Sequence, residues 1–303
     1  MKTNQELVKE WIEDSINQGN VASEHTLINY QREVPAFLDY CNKSALEVVR
    51  VDVIKYKNEC LQEQRKLSDG TVNLYIKIIR IFYNYLIDTE QYSLVNPTHR
   101  VKCKCAIKQD RYLTEREVEI ILEECDKFTN RKDNSFKLKT FFMLLATTGL
   151  RYSEALSIEY EKIERVVDNG EEIGYYVVTG KGNKERKFTI LPNVLKMIDE
   201  YYTKHRGYSN EKVLFVNESG GIWQNSSVNR TLKSILSKAG IKDYEKIHIH
   251  TFRHTFASRL INDNVNIMTV KELLGHSDIS TTQRYVHVSD ENKLHAVQSV
   301  FGN

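Results

Sequence analysis

Three prolines and thirteen glycines in 303 residues leave no room for proline-rich repeats, collagen-like periodicity or long low-complexity linkers. No apolar run approaches the roughly 20 residues that a membrane-spanning helix needs. The opening stretch, Met1 to Asn20, lacks an apolar core followed by a cleavage site, so no secretory leader is expected. Cysteine is sparse: Cys41, Cys60, Cys103, Cys105 and Cys125 are odd in number and scattered, which suits a reducing compartment better than a disulfide framework. A surplus of one charge is also missing. Forty-three basic against 41 acidic residues give +2, which neither demands nor excludes a nucleic-acid partner, because clustering on one face matters more than the total. The expectation is a cytoplasmic protein with no membrane association and, from its length, about two domains.

The first hundred residues carry helical periodicity. Asn4 to Ile16 spaces Leu7, Val8, Trp11 and Ile12 as one helix face. Ser23 is placed to cap a second helix through Leu27, Tyr30, Val34, Phe37 and Leu38, with Pro35 predicting a kink or break. A third covers Val51 to Glu63. Ser68-Asp-Gly then punctuates, and Thr71 to Ile87 carries Leu74, Ile78, Ile81, Phe82, Tyr85 and Leu86 as a stripe. Asn96-Pro97 stops the pattern. The connector that follows holds Arg100, Lys102, Lys104, Lys108 and Arg111 against only Asp110. It reads equally as a solvated tether or as a set of phosphate contacts.

From Leu113 a second domain is expected. Thr114 to Glu117 has capping-box spacing, and Phe141-Phe-Met-Leu-Leu-Ala is apolar all round, hence a core helix that Gly149 ends. Tyr175 to Thr179, a Gly180-Lys-Gly-Asn turn and Arg186 to Ile190 predict a β-hairpin. Helices dominate again from Val194. The fold class is mainly α with a small antiparallel β-sheet, divided into residues 1–98, a basic linker 99–111, and a domain 112–303.

Four segments of the second domain stand out together. They are Gly149-Leu-Arg151-Tyr-Ser-Glu154, Gly180-Lys181-Gly-Asn-Lys-Glu-Arg186, His250-Thr-Phe-Arg253-His254, and Leu274-Gly-His276 with Thr281-Thr-Gln-Arg-Tyr285-Val-His287. Two arginines suit a phosphate whose non-bridging oxygens gain charge in a transition state, since each offers a planar fork that stays protonated. Removing one such donor costs about 3–4 kcal/mol of barrier stabilisation. Arg151 lies just after Gly149 and ahead of a new helix, whose first turn favours anions. Tyr285 is expected five residues inside a helix that starts at a Ser280–Gln283 capping box, after a Gly275-His276 turn. A phenol of ordinary pKa is only about one part in a thousand ionised at pH 7, a shortfall of roughly 4 kcal/mol that neighbouring cations and a base must offset. Lys181 sits in a glycine-flanked turn where backbone can approach a ligand closely.

Other readings of these residues are weak. His248-Ile-His250 alternates as in a strand and His250 and His254 have helical i, i+4 spacing, but no H-E-x-x-H carboxylate follows and arginine is a poor neighbour for a metal. Cys103-Lys-Cys105 is a lone pair of thiols. Gly180-x-Gly lacks the rest of a nucleotide loop. No metal and no other cofactor is expected.

The ordered set of Arg151, Lys181, His250, Arg253, His276 and Tyr285 resembles the catalytic domain of tyrosine recombinases, the phage-integrase family. The resemblance extends to Ser23–Tyr40 and Ser68–Pro97, which look like the family's N-terminal SAM-like, core-binding helical module. It implies a site-specific recombinase that cleaves and rejoins double-stranded DNA through a 3′-phosphotyrosyl link to Tyr285. Arg151 and Arg253 would hold the phosphate, Lys181 would enter the minor groove and protonate the leaving 5′-oxygen, and His250 and His276 would assist, with His250 able to exchange the nucleophile's proton. Glu154, one turn after Arg151, would orient that helix or a histidine, and Arg100, Lys102, Lys104 and Lys108 would bind DNA. The resemblance further implies two domains clamping duplex DNA and a homotetramer on paired recombination sites, possibly with a related recombinase. Leu294, Val297 and Phe301 would pack in cis or be donated to the next protomer. With no further domain expected ahead of the helical module, the chain is most similar to simple Xer-type enzymes. A type IB topoisomerase or a catalytically silent DNA-binding regulator on the same scaffold are the alternatives.

Overall fold

The computed structural model describes residues 2–21, 23–89, 91–92, 95–104, 111–128, 132–179, 185–276, 278–283 and 285. The chain divides into two compact units, Met1–Lys108 and Gln109–Asn303.

The first unit is helical. Helix α1 (Asn4–Asn17) opens on a capping box in which the Glu6 amide donates to Thr3 Oγ1 and the Thr3 amide to Glu6 Oε2. Helix α2 (Glu24–Cys41) is capped by Ser23 and continues through Pro35, so the expected break does not occur. Helix α3 (Arg50–Lys55) passes into a π-helical stretch, Tyr56–Gln64. Helix α4 (Asp69–Asp88) begins two residues earlier than its periodicity suggested, because Ser68 caps it and Gly70 lies within its first turn. Its buried face is accordingly Val72, Ile76, Ile79, Tyr83 and Leu86 with their neighbours, and Leu74 is 46% exposed. Trp11 of α1 stacks on Tyr30 of α2 at 4.7 Å and meets the edge of Phe82 of α4, joining three helices in one aromatic contact.

The segment after α4 is tied to that helix. The Asn73 side chain accepts from the Cys103 amide at 2.7 Å and donates to the Cys103 carbonyl at 3.1 Å. Arg80 donates to Thr98 Oγ1 and to the Thr98 and Val101 carbonyls. Val101 and Cys103 are therefore buried while Lys102 and Lys104 alternate outward, beside an exposed Arg100.

In the second unit, α5 (Glu115–Phe128) opens on the Thr114–Glu117 capping box and packs against α6 (Lys132–Thr148). Phe141, Phe142, Leu144 and Leu145 make α6 the centre of the core, and α7 (Tyr152–Leu156) follows after Gly149. Three antiparallel strands come next in the order β1 (Glu164–Asp168), β2 (Glu171–Thr179) and β3 (Glu185–Ile190). The expected hairpin is β2–β3, with Tyr175 opposite Thr189 and Thr179 opposite Glu185. Strand β1 was not anticipated. All five of its residues are exposed, so it lacks alternating burial, and its one sequence signal is the Asn169-Gly170 turn, with φ of 50° and 83°. Helix α8 (Pro192–Glu200) covers the sheet where Gly174 leaves room for Leu195, and a π-helical stretch, Tyr201–His205, extends it. Helices α9 (Asn225–Lys238), α10 (Ile249–Asn262), α11 (Ile267–Leu274) and the short α12 (Ser280–Gln283) complete the described part of the unit. Phe252 of α10 stacks on Phe142 of α6 at 5.3 Å and locks α10 to the core. No helix of the described residues is long and apolar enough to cross a membrane.

Candidate active site

Helix α10 supplies the centre of the site. His248 stands at its N-cap, its amide donating to Thr251 Oγ1, so His248-Ile249-His250 is a helix start and not a strand. Helical spacing then sets His250, Arg253 and His254 on neighbouring positions of one turn. Arg253 is only 1% exposed. It donates from Nη1 to the Gly149 carbonyl at 2.7 Å and from Nη2 to the Leu274 carbonyl at 2.5 Å, which fixes the plane of its fork.

Gly149 earns its place in the Gly-Leu-Arg run for two reasons. It ends α6 with φ of +61°, and a Cβ there would lie 2.3 Å from Phe256 Cδ1. That sharp turn delivers Arg151 to the N-cap of α7. Glu154 accepts from the Arg151 amide at 2.6 Å and from Arg151 Nη1 at 2.7 Å. Arg151 Nη2 reaches the Gly275 carbonyl at 3.3 Å.

A third guanidinium, Arg186 of β3, completes the cluster. It donates to Glu154 Oε2 at 2.6 Å and to the Leu274 carbonyl at 2.5 Å, with its side chain 12% exposed. Three arginines thus converge on the last carbonyls of α11, the negative end of that helix, where no further amide of the helix can pair with them. Gly275 closes α11 in the left-handed region, and a Cβ there would lie 2.8 Å from Arg186 Cδ. The turn continues to His276, whose Nδ1 lies 2.9 Å from the buried Thr282 hydroxyl. Asp278, rather than Ser280, caps α12, accepting from the Ser280 amide at 2.9 Å. Tyr285 lies just beyond this four-residue helix, not inside it, with its amide donating to the Thr282 carbonyl. Its ring is 5% exposed and its hydroxyl lies 2.7 Å from His254 Nδ1.

The electrostatics follow from crowding. Burial, then the proximity of Arg151 and Arg186, lowers Arg253 to about 9, partly countered by Glu154 and Tyr285. Burial and the same three arginines hold His276 down at about 4, so it is neutral at pH 7. Burial alone would raise the Glu154 carboxyl, but the Arg151 amide and the Arg186 and Arg151 guanidinium groups outweigh it and keep it ionised. Three cations around one carboxylate leave a net positive pocket that a phosphate would relieve.

Of the residues singled out in the sequence, Arg151, Glu154, His250, Arg253, His276 and Tyr285 fall in this one neighbourhood. Lys181 and Lys108 lie outside the described residues, as do Leu294, Val297 and Phe301. Arg186, His254 and Thr282 were not assigned roles. For Arg186 a signal existed: strand alternation places it on the inward face with Phe188 and Ile190, an unusual position for a cation.

The chain matches the phage integrase family over residues 111–292 and the phage integrase N-terminal SAM-like domain over residues 8–90. A tyrosine recombinase of Thermosipho africanus is 32% identical over 285 residues, covering 92% of this chain and 94% of that protein. Tyrosine recombinase XerD of Staphylococcus haemolyticus is 30% identical over 276 residues, 88% and 89% of the two chains. Among solved structures, the XerH site-specific recombinase bound to its difH substrate shares the fold, with a TM-score of 0.73 at 20% identity over 96% of this chain and 84% of that one.

Proposed function

The chain belongs to the phage integrase family of tyrosine recombinases, DNA strand-exchange enzymes, and from that premise we propose the roles of its residues. Tyr285 is the nucleophile that joins a DNA strand through a 3′-phosphotyrosyl bond. Arg151 and Arg253 hold the non-bridging oxygens of the scissile phosphate. Their forks are set by carbonyls and by Glu154 before DNA arrives, so no reorganisation is needed as charge develops. His276 is neutral, and in the tautomer whose Nδ1 accepts from the Thr282 hydroxyl, its Nε2–H serves as a further donor to the phosphate. His250 supports the cluster from the first turn of α10. Lys181 protonates the leaving 5′-oxygen, a role carried by the family resemblance. Because one phosphodiester is exchanged for another, a 5′-hydroxyl from a second strand can reverse the step.

Lys102 and Lys104, turned outward from a segment pinned to α4, and the exposed Arg100 contact the DNA backbone together with Lys108. These phosphate contacts position the enzyme and leave the base sequence to other residues. A homotetramer on two paired recombination sites, in the cytoplasm, carries out the exchange.

The observation that carries this reading is the convergence of Arg151 and Arg253 on the carboxyl end of α11, from which a short segment leads directly to Tyr285. The test is trapping on a library of nicked duplexes that lose the leaving fragment. The protein should recover one DNA site as a covalent adduct, and Tyr285→Phe should recover none. Retention of the adduct by that variant would refute the assignment.

A further inference from the structure

Attack by a phenol requires somewhere for its proton to go. Resting on the nucleophile assigned above, the geometry points to His254 as the catalytic residue that takes the Tyr285 proton. His254 Nδ1 lies 2.7 Å from the Tyr285 hydroxyl, a direct hydrogen bond, and the two rings are 5.5 Å apart. Tyr285 is 5% exposed, so bulk water is a poor competitor for that contact. The imidazole comes from the helix that also carries Arg253, so the base and a phosphate-holding cation share one rigid element.

Two rings among the described residues face His254. His250, one helical turn earlier, meets it edge-on with ring centroids 5.0 Å apart, and Tyr285 faces it from the turn after α12. Arg253 lies close enough to Tyr285 to interact with it electrostatically. Phe256, Leu260 and Val270 belong to the apolar cluster that holds Tyr285.

The step balances. The Tyr285 Oη–H proton passes to His254 Nδ1, giving an imidazolium, while the Oη–P bond forms. The P–O5′ bond breaks, and the 5′-oxygen takes a proton from the Lys181 ammonium. The phosphodiester carries one negative charge before and after the exchange. In the rejoining direction His254 returns its proton to the departing phenolate. This assigns to His254 the proton exchange that the family resemblance had attached to His250.

The test isolates nucleophile activation. The substrate is the trapped site rebuilt with a 5′-bridging phosphorothiolate, whose thiolate leaves without a proton, and single-turnover cleavage is followed from pH 6 to 9. His254→Asn keeps a hydrogen-bonding group near the Nδ1 position but cannot take up a proton, and His254→Gln provides a second isostere. Both should bind DNA as the parent does and cleave about 100- to 10,000-fold more slowly at pH 7. Their rates should climb about tenfold per pH unit, as the phenol ionises unaided. Cleavage by either folded variant within threefold of the parent at pH 7, or a loss equal at every pH, would overturn the proposal. An adduct formed by Tyr285→Phe would instead overturn the nucleophile assignment, so the two failures are distinct.

Discussion

Replacing Arg186 with methionine tests whether this unassigned arginine holds the site together. The side chain is 12% exposed and its carboxylate partner Glu154 is 7% exposed. Breaking a buried pair by removing one member costs about 3–5 kcal/mol when the survivor is left alone. Glu154 is not left alone here, because Arg151 still donates to it from both its amide and its guanidinium. The Leu274 carbonyl likewise keeps Arg253. The expected loss is therefore below that range, about 2–3 kcal/mol, which for a domain of this size lowers the melting temperature by ~4–12 °C. Calorimetry of the full chain, following the transition of the second unit, measures it. The double variant Glu154→Gln/Arg186→Met should lose less than the sum of the two single variants, because both single changes break the same ion pair. Covalent adduct formation should fall in the single variant more than stability alone explains, since Arg186 braces Glu154 and α11 together. A melting temperature within 1 °C of the parent, with adduct yield unchanged, would refute the argument.

Four further outcomes can be measured. Gly275→Ala should cost about 1–2 kcal/mol for the left-handed backbone and displace Arg186, whose Cδ lies 2.8 Å from the new Cβ; adduct yield should collapse while the protein stays folded. Gly149→Ala should instead fail to fold, because its Cβ would lie 2.3 Å from the Phe256 ring and a packed aromatic yields less than a flexible arginine; circular dichroism and gel filtration distinguish the two. His276 takes its proton near pH 6.5 when unfolded but only near 4 when folded, so stability should fall as pH drops between those values; His276→Gln should flatten that part of the curve, and an unaltered pH dependence of melting would contradict it. Lys102→Ala and Lys104→Ala should each weaken DNA binding regardless of sequence and reduce the slope of log affinity against log salt by about 0.9, so titrations giving the parent slope would remove these residues from the DNA contact.

Periodicity and turn chemistry were enough to place most helices, the capping box at Thr114 and the β2–β3 hairpin, because these depend on neighbours within four residues or on one turn. The same locality explains the misses. Strand β1 has no buried face to reveal it, Pro35 was tolerated within α2, and Asp278 displaced Ser280 as the cap of α12 through a bond that competes two residues away. Arg151, His250, Arg253, His276 and Tyr285 were singled out in the chain through the resemblance of their types and order to a known family. Their mutual arrangement was not legible there. Only folding brings three guanidinium groups from three separate elements onto the end of α11, buries an unassigned arginine opposite Glu154, and sets His254 rather than His250 against the Tyr285 hydroxyl. Those contacts join positions as far apart as Arg151 and Gly275, and what selects among the candidate partners is the packing of the whole unit, which no local pattern encodes.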